Sequence, residues 1–224
     1  MVTVEDFLLE DTLYFENTPV LSYTINYPQL KNGCNNEALI KINKYYVTRA
    51  SVYENECRTN LFKEASMQLQ YTKTHGYPFL PDEVDIRYKV TFNEDCILSL
   101  YFDHYMFTGG AHGSTLRYSN TWNLNTGHLI HLKDFFEPGS DYKSYVRNRI
   151  NEMISKQLES SVSHPDYFKN HEQNVAISFS PDNFYLTPEG IVIYFQQYDI
   201  APYSSGIIEF TIPYEEGMKF WEKW

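Results

Sequence analysis

Apolar residues recur every three or four positions between residues 39 and 65, which predicts one long amphipathic helix. The stripe consists of Leu39, Ile42, Tyr46, Ala50, Tyr53, Cys57, Leu61 and Ala65. Asn36 is the predicted N-cap, and the run from His75 to Pro78 predicts the end of the helix. A break between Asn55 and Arg58 is compatible with this pattern.

Strand patterns lie on both sides of this helix. The stretch from Val20 to Tyr27 predicts a strand that Pro28 ends, and residues 1–18 predict an N-terminal arm. After the helix the period changes to two, which predicts a hairpin of two half-buried strands. Its apolar positions are Val84, Ile86, Tyr88, Val90 and Phe92, followed after a turn by Cys96, Leu98, Leu100 and Phe102.

The second half of the chain predicts the same kinds of element. A strand through Trp122 turns at Asn125-Thr126-Gly127, a second main helix follows Ser140, and a short third helix is predicted from Pro165 to Gln173. The remaining predicted elements are the strands Phe184 to Leu186, Gly190 to Gln196 and Gly206 to Ile212, and a C-terminal helix from Glu215 to Trp224.

Helices that separate runs of antiparallel strands are typical of an α+β fold. We therefore expect antiparallel or mixed sheet hairpins packed against two main helices and the C-terminal helix. The expected organisation is an N-terminal arm (1–18), a strand-helix-hairpin subdomain (19–107) and a C-terminal subdomain (108–224), with the two subdomains sharing one core.

The chain is acidic and rich in aromatic residues. It has 224 residues, with 18 Lys and Arg against 29 Asp and Glu, and a formal net charge of −11. An aromatic content of 17% supplies a sizeable core, which excludes global disorder. The charge argues against nucleic acid and anionic membrane surfaces and favours a basic partner. The longest apolar run, Ile191 to Phe195, is far too short for a membrane span.

The compartment depends on what the natural gene places before residue 1. The first residues are acidic and do not resemble a signal peptide. We therefore expect either a cytoplasmic protein or one whose targeting segment or membrane anchor is encoded upstream. Cys34, Cys57 and Cys96 form no Cys-x-x-Cys pair, which argues against a zinc knuckle or redox motif. We expect buried thiols, with one disulfide and one free thiol as the open alternative.

The most unusual stretch is Thr108-Gly109-Gly110-Ala111-His112-Gly113, which joins two predicted strands. Its three glycines indicate positive φ angles or close backbone approach. Neither a helix start nor a Lys follows to complete a phosphate loop, so phosphate binding is disfavoured. His112 is either a base or ligand or, more simply, an imidazole that hydrogen-bonds the backbone of a tight connection.

The histidines show no spacing that predicts a metal centre. His128 and His131 point to opposite faces of the strand that is predicted from His128 to Leu132. The sequence contains no His-x-x-x-His pair and no Gly-x-Ser-x-Gly elbow. We therefore predict no catalytic residue, no metal site and no cofactor.

A second candidate surface is the stretch from Tyr198 to Gly206. Pro202 and the following Ser204-Ser205-Gly206 interrupt a strand and leave a protruding segment, in which tyrosine supplies rigid amphipathic contact area. A β-bulge that seals the core with Tyr203 accounts for the same pattern equally well. The predicted ligand-binding residues are Gly109, Gly110, His112, Pro202, Tyr203 and Ser204.

Several separated motifs carry a resemblance to a known family. They are Thr108 to Gly113, Trp122 to Gly127, Leu132 to Phe136, Phe184 to Gly190, and Tyr198 to Gly206 with Ile212-Pro213-Tyr214. In this order they resemble the domain of unknown function in the extracytoplasmic part of lysozyme-sensing anti-sigma-V factors. The same module lies beside the catalytic domain of a Gram-positive peptidoglycan deacetylase, and the residues before it are similar to the weaker domain that usually precedes it.

This resemblance implies a receptor-like domain outside the membrane, at the surface of a Gram-positive bacterium. In the anti-sigma family this part binds lysozyme, and binding exposes the stem to proteolysis that frees a sigma factor. Lysozyme is strongly basic, so its charge suits an acidic partner. The chain lacks the cytoplasmic sigma-binding segment, the membrane helix and the deacetylase's catalytic His pair, so only the module carries over.

Three functions follow, in order of preference. The first is a non-enzymatic extracytoplasmic binding or sensor domain for a basic protein such as lysozyme, or for cell-wall glycan. The second is an accessory module that attaches a separate wall-modifying enzyme to peptidoglycan. The third is a hydrolase that uses His112 with an unidentified carboxylate.

Overall fold

The computed structural model describes residues 1–160 and 163–214, and the predicted C-terminal helix, Glu215 to Trp224, lies outside them. Within the described residues the fold is α+β, as predicted, with nine strands in two sheets. The strands are β1 (Thr3–Phe15), β2 (Thr18–Lys31), β3 (Asp82–Glu94), β4 (Ile97–Phe107), β5 (Ser114–Asn123), β6 (His128–Leu129), β7 (Phe184–Thr187), β8 (Gly190–Phe195) and β9 (Ile208–Pro213). The helices are α1 (Asn36–Glu56), α2 (Phe62–His75), α3 (Tyr142–Glu159) and α4 (His171–Ser178), with a π-helical turn (Cys57–Leu61) between α1 and α2.

The larger sheet is mixed. It contains β1 to β6 in sequence order, and β7 to β9 form a separate three-stranded sheet. The pairs β1–β2 and β5–β6 are antiparallel, as are both pairs of the smaller sheet. By contrast, β2 and β3 are parallel, with Leu21 to Ile25 beside Asp82 to Ile86. The predicted mixed sheet is therefore confirmed.

The chain divides into two compact units. The first consists of residues 2–89 and 102–116, and the second of residue 1, residues 90–101 and the described residues from Arg117 onward. The domain boundaries predicted after residues 18 and 107 stay a prediction.

In the first unit β2 extends past Pro28, which was predicted to end it. The parallel register with β3 stops at Ile25, so Pro28 needs no ladder hydrogen bond on that side. Further along, the side chain of Asn43 on α1 takes the place of a neighbouring strand. Its Oδ1 accepts from Leu30 N–H at 2.7 Å and its Nδ2 donates to Leu30 O at 3.0 Å. The side-chain amide thus satisfies backbone groups that lie beyond the β2–β3 register.

The predicted long helix consists of α1, the π turn and α2. Asn35, one residue before the predicted N-cap, accepts through Oδ1 from Glu37 N–H at 2.9 Å. An α-helix has about 3.6 residues per turn, so a stripe in which every fourth residue is apolar, as from Cys57 to Leu69, drifts around its surface. A π turn contains more residues per turn and keeps that stripe on the buried face. It lies close to the break expected between Asn55 and Arg58.

The second unit buries its own apolar core. All six residues of β8 are buried, because it is the middle strand of its sheet. A Cβ on Gly190 would lie 2.3 Å from the carbonyl oxygen of Ile212, so the start of β8 admits only glycine. Other core members are Phe92, Ile97, Leu132, Phe135, Val146, Ile150, Ile154, Val175, Leu186, Ile200, Phe210 and Ile212.

The short helix predicted from Pro165 to Gln173 is α4, which begins later than predicted, at His171. Phe168 N–H donates to Ile200 O at 3.0 Å, and Tyr167 N–H donates to Pro165 O at 2.9 Å. Those donors are therefore used outside a helix. Among residues 1–160 and 163–214, no helix is both long enough and apolar enough to cross a bilayer.

The cysteines have two different states. Cys34 and Cys96 are disulfide-bonded, and Cys57 is a buried free thiol. The expectation of buried thiols alone is wrong, and the open alternative of one disulfide with one free thiol is confirmed. Burial raises the pKa of Cys57 to about 11, so this thiol is protonated and unreactive at neutral pH.

Asp82, the first residue of β3, is a buried carboxyl group with an exposed fraction of 3%. Its Oδ1 has no hydrogen-bond partner among the described residues. Burial, reinforced by the negative charge of Glu64, raises the pKa of Asp82 from 3.8 to about 6. Folding therefore favours the protonated form, so the fold loses stability as pH rises between these two values and stays less stable above them.

We expect Asp82→Asn to raise the free energy of unfolding by about 1–3 kcal/mol near pH 7.5, because the amide never has to ionise in a buried position. Near pH 4, where folded Asp82 is already protonated, the gain should disappear. Urea unfolding followed by tryptophan fluorescence at both pH values measures the difference. The matched control is Glu83→Gln, which removes the exposed carboxylate of the next residue. A gain of equal size at both pH values would contradict this assignment.

Candidate functional site

The glycine loop, residues 108–113, connects β4 to β5 in the first unit. Gly109 and Gly110 have φ angles of +85° and +96°, which residues with side chains rarely adopt. A Cβ on Gly109 would lie 2.7 Å from Nε2 of Gln68, and one on Gly113 would lie 2.5 Å from the ring of Tyr105. The predicted reasons for the glycines, positive φ and close approach, are confirmed.

His112 is exposed in the glycine loop. Its Nδ1 donates to the carbonyl oxygen of Gly113 at 2.9 Å, so the imidazole bonds the backbone of a tight connection, as predicted. This bond selects the tautomer with its proton on Nδ1 when the ring is neutral. The role of His112 as a base in hydrolysis stays a prediction.

The tyrosine segment, residues 196–206, lies between β8 and β9 in the second unit. Pro202 precedes a short 3-10 turn, Tyr203–Ser205. Tyr203 is half-buried and Ser204 is exposed. The ring centroid of Tyr203 lies 5.8 Å from that of Tyr198, which is largely exposed. The two rings therefore form a surface pair.

Buried contacts hold the tyrosine segment in place. Ile200 and Ala201 belong to the core, so these residues anchor the segment. Oδ2 of Asp199 accepts from Gln196 N–H at 2.7 Å, and the side-chain amide of Gln196 donates to Arg117 O at 2.6 Å. Tyr198 has a φ of +68°, which is strained for a bulky residue and persists only where surrounding contacts impose it.

The predicted ligand-binding residues thus fall into two groups. Gly109, Gly110 and His112 belong to the first unit, and Pro202, Tyr203 and Ser204 belong to the second. Each group has an exposed side chain, His112 or Ser204, on a locally ordered loop. That the two groups form one contact face stays a prediction.

The sequence interpretation missed a group of three rings at the end of α2, the aromatic trio Tyr71, His75 and Tyr77. The exposed fractions of Tyr71 and Tyr77 are 57% and 59%. The His75 ring centroid lies 4.1 Å from that of Tyr71 and 6.1 Å from that of Tyr77. The planes of His75 and Tyr77 differ by only 9°. The signal in the sequence was the i, i+4 spacing of Tyr71 and His75, in a stretch interpreted only as a helix end.

Backbone contacts orient the aromatic trio. Nδ1 of His75 donates to Tyr71 O at 2.8 Å, which fixes the imidazole over the last helical turn. Gly76 ends the helix with a φ of +70°, a left-handed conformation that glycine adopts without a steric penalty. Tyr77 N–H then donates to Thr72 O at 2.9 Å. The end of the helix therefore fixes the imidazole of His75 and the backbone of Tyr77.

A polar cluster surrounds Arg117 in the second unit. Its guanidinium carbon lies 3.7 Å from the ring centroid of Tyr101, and its Nη1 donates to Oε1 of Glu209. Tyr185 Oη donates to the same oxygen at 2.9 Å. Burial, followed by the charge of Glu209, raises the pKa of Tyr185. Glu209 therefore accepts from both Arg117 and Tyr185, and its carboxylate balances the charge of the buried guanidinium.

The remaining titratable groups do not gather into a metal centre. Within the described residues, no three His, Cys, Asp or Glu side chains are placed to hold a metal ion.

His104 packs edge-on against Tyr53, with ring centroids 5.1 Å apart. Burial, with a further contribution from Arg49, lowers the pKa of His104.

Two family matches cover separate parts of the chain. Residues 133–215 match the family described as "Protein of unknown function (DUF3298)". Residues 15–115 match the family described as "Deacetylase PdaC". We call residues 133–215 the DUF3298 region and residues 15–115 the PdaC-related region, after the families that they match. The DUF3298 region contains the tyrosine segment, and the PdaC-related region contains the aromatic trio and the glycine loop.

Similar proteins come from three bacteria. Peptidoglycan-N-acetylmuramic acid deacetylase PdaC of Bacillus subtilis (strain 168) is 22% identical over 121 residues, which are 54% of this chain and 22% of that protein. A solved structure of a DUF3298 family member from Bacteroides fragilis has a TM-score of 0.73 at 19% identity. The matched part covers 95% of this chain and 90% of that protein's chain. A DUF3298 family protein from Pseudomonas aeruginosa has a TM-score of 0.61 at 18% identity, with 96% and 91% covered. At such low identity these likenesses show a shared fold.

We expect Gly113→Ala to lower the free energy of unfolding by about 1–3 kcal/mol, because the added methyl group overlaps the Tyr105 ring. Urea denaturation measures this loss. In a Tyr105→Ala background the ring is absent, so the same substitution should cost much less. Equal losses in both backgrounds would show that the contact with Tyr105 is not the reason for this glycine.

Proposed function

We propose that this chain is a non-enzymatic, extracytoplasmic binding module that attaches to cell-wall glycan. The exposed aromatic trio carries this proposal, and it lies within the residues that match the PdaC family. The relative from Bacillus subtilis is named for an activity on peptidoglycan-N-acetylmuramic acid, which makes wall glycan the ligand to consider first. The chain covers 22% of that relative's length, so the proposal takes over the location and not the deacetylation.

The aromatic trio suits a sugar ring by its chemistry. A pyranose ring presents a face of C–H bonds, which packs against the electron-rich face of an aromatic ring. Tyr71 and Tyr77 have their ring centroids 6.4 Å apart, with His75 close to both. Aromatic side chains also lose little conformational entropy on binding, and the hydrogen bond from the His75 imidazole to Tyr71 O reduces that loss further for His75.

The disulfide supports a location outside the cytoplasm. Disulfides persist in oxidising compartments and are rare in the cytosol, and Cys34 and Cys96 are disulfide-bonded. The remaining thiol, Cys57, is buried and its pKa is raised, so it would survive such a compartment without being oxidised. A Gram-positive source stays a prediction.

We expect Tyr71→Ala and Tyr77→Ala each to weaken binding to purified insoluble peptidoglycan by about 5–30-fold, the equivalent of roughly 1–2 kcal/mol, because each removes one ring of the surface. Cosedimentation with sacculi over a range of protein concentrations measures the affinity. The matched control is Ile40→Ala, which removes an exposed apolar side chain near the start of α1.

If all three variants bind sacculi with the affinity of the wild type, the aromatic trio is not the surface that binds glycan. Release of soluble wall fragments or acetate during the same incubation would contradict the non-enzymatic part of the proposal.

The net charge favours a second candidate ligand, a basic protein such as lysozyme. A chain of net charge −11 attracts a basic protein at long range and speeds association. The pair Tyr198 and Tyr203 lies in the DUF3298 region, where it offers an aromatic anchor of the kind that dominates protein interfaces. Gly109, Gly110 and His112 are the proposed second contact. A sensor role belongs to this candidate.

We expect lysozyme to bind at low salt and to bind more weakly as salt rises, because screening weakens long-range attraction. Tyr203→Ala should reduce the low-salt affinity by about 5–30-fold, as measured by isothermal titration calorimetry. Ile177→Ala, at an exposed position of α4 in the same unit, is the control. A lack of binding at low salt removes lysozyme as the ligand, and an unchanged affinity of Tyr203→Ala removes the tyrosine segment as its surface.

A further inference from the structure

The strand β1 forms an open edge of the larger sheet. It pairs with β2 from Thr3 opposite Lys31 to Phe15 opposite Thr18, and no strand of the described residues lies on its other side. At about 3.3 Å per residue, β1 offers an edge roughly 40 Å long. Backbone N–H and C=O groups along such an edge can pair with another extended chain.

Proline and cationic side chains, which often protect an edge strand, are absent from β1, so its only charged side chains are carboxylates. Its register with β2 is regular up to Leu13, where a single shift occurs. A long regular edge without these residues is suited to strand addition.

The side chains of β1 specify the charge of a partner. Successive residues of a strand alternate between two faces, so Asp6, Leu8, Glu10 and Thr12 share one face, and all four are exposed. The face thus alternates acidic, apolar, acidic and polar positions. The Glu10 carboxylate has no ion-pair partner among the described residues. A strand laid beside β1 would place its own alternating side chains opposite this series.

The other acidic residues of β1 already have partners. Glu5 pairs with Lys31 at 2.7 Å, and Asp11 pairs with Arg58 at 2.8 Å. Asp6 accepts from the Tyr88 hydroxyl at 2.5 Å. These contacts orient the strand and leave Glu10 as the carboxylate ready to meet an incoming cation.

We propose that the outer edge of β1 binds a basic, extended polypeptide segment by strand addition. The segment alternates Lys or Arg with apolar residues, so that its cations lie on the face of Asp6 and Glu10 and its apolar side chains lie on the other face, beside Phe7 and Leu9. Backbone hydrogen bonds supply affinity, and the alternating side chains supply selectivity. This site is independent of the aromatic trio and of any glycan.

Charge favours this occupant over a second copy of the chain. Two β1 strands paired edge to edge would bring together two segments that carry four carboxylates each and no cation. Like charges opposite each other destabilise a strand pair. A basic segment meets the same edge with complementary charge.

The test uses a labelled peptide of about nine residues that alternates Lys and Val, titrated with the full chain and followed by fluorescence anisotropy. The comparison peptides are one that alternates Glu and Val, and one in which Pro replaces the central Val. We expect the Lys-Val peptide alone to bind, and Glu10→Lys to weaken its binding by at least about tenfold. Glu94→Lys, with the same charge change at the exposed end of β3, should weaken it by no more than about threefold.

Hydrogen exchange on the same mixture identifies the edge. We expect the peptide to slow exchange of amides between Thr3 and Phe15. The proposal is overturned if the Lys-Val peptide fails to bind, if it binds without protecting β1, or if Glu10→Lys and Glu94→Lys weaken binding equally. Protection of β1 in the peptide-free chain that grows with protein concentration, together with a dimer in sedimentation, would assign the edge to a second copy and also overturn it.

Discussion

The parallel pairing of β2 with β3 is the constraint on which the first unit depends. Parallel neighbours cannot be joined by a tight turn, so the chain between them must cross over the sheet in a dozen or more residues. The helices α1 and α2 with the π turn make this crossing, and both helices pack on β2. The register that places Leu21 beside Asp82 also places a carboxyl group at a buried strand end, which is why the pKa of Asp82 is raised.

The same crossing creates one exposed feature of this unit. Since the helix has to end before β3 begins, Gly76 turns the chain at the end of α2, and the rings on both sides of that turn are left together in solvent. On the other side of β2, the antiparallel partner β1 completes the hairpin but leaves its own outer edge open. The aromatic trio thus follows from the crossover, and the open edge of β1 follows from the hairpin at the other side of β2.

In the second unit the exposed candidate surface, the tyrosine segment, has a different structural origin. The middle strand β8 is entirely buried, and the chain leaves it through the tyrosine segment, which core residues Ile200 and Ala201 anchor. This anchoring holds Tyr198 in its strained backbone conformation. Structures that share under 20% of their residues with this chain keep its fold, as a core of interchangeable apolar residues permits. Function therefore has to be sought in the exposed side chains rather than in the fold.

The sequence by itself determined the fold class and most of the helices and strands after residue 18, because hydrophobic period depends on which face of a helix or strand is buried. Residues 1–18 were predicted only as an arm, and they contain β1. It also located the glycine loop, since three glycines within five residues indicate a backbone that side chains would obstruct. Only the tertiary structure decided the features that need two distant segments, which are the replacement of a strand by Asn43 and the burial of Asp82. The end of β2 and the start of α4 were misplaced for the same reason, because partners far along the chain satisfy their backbone groups. The hydrophobic period predicts whether a residue is buried, but it does not predict which other residue contacts it. The contacting residue determines the chemistry of a site.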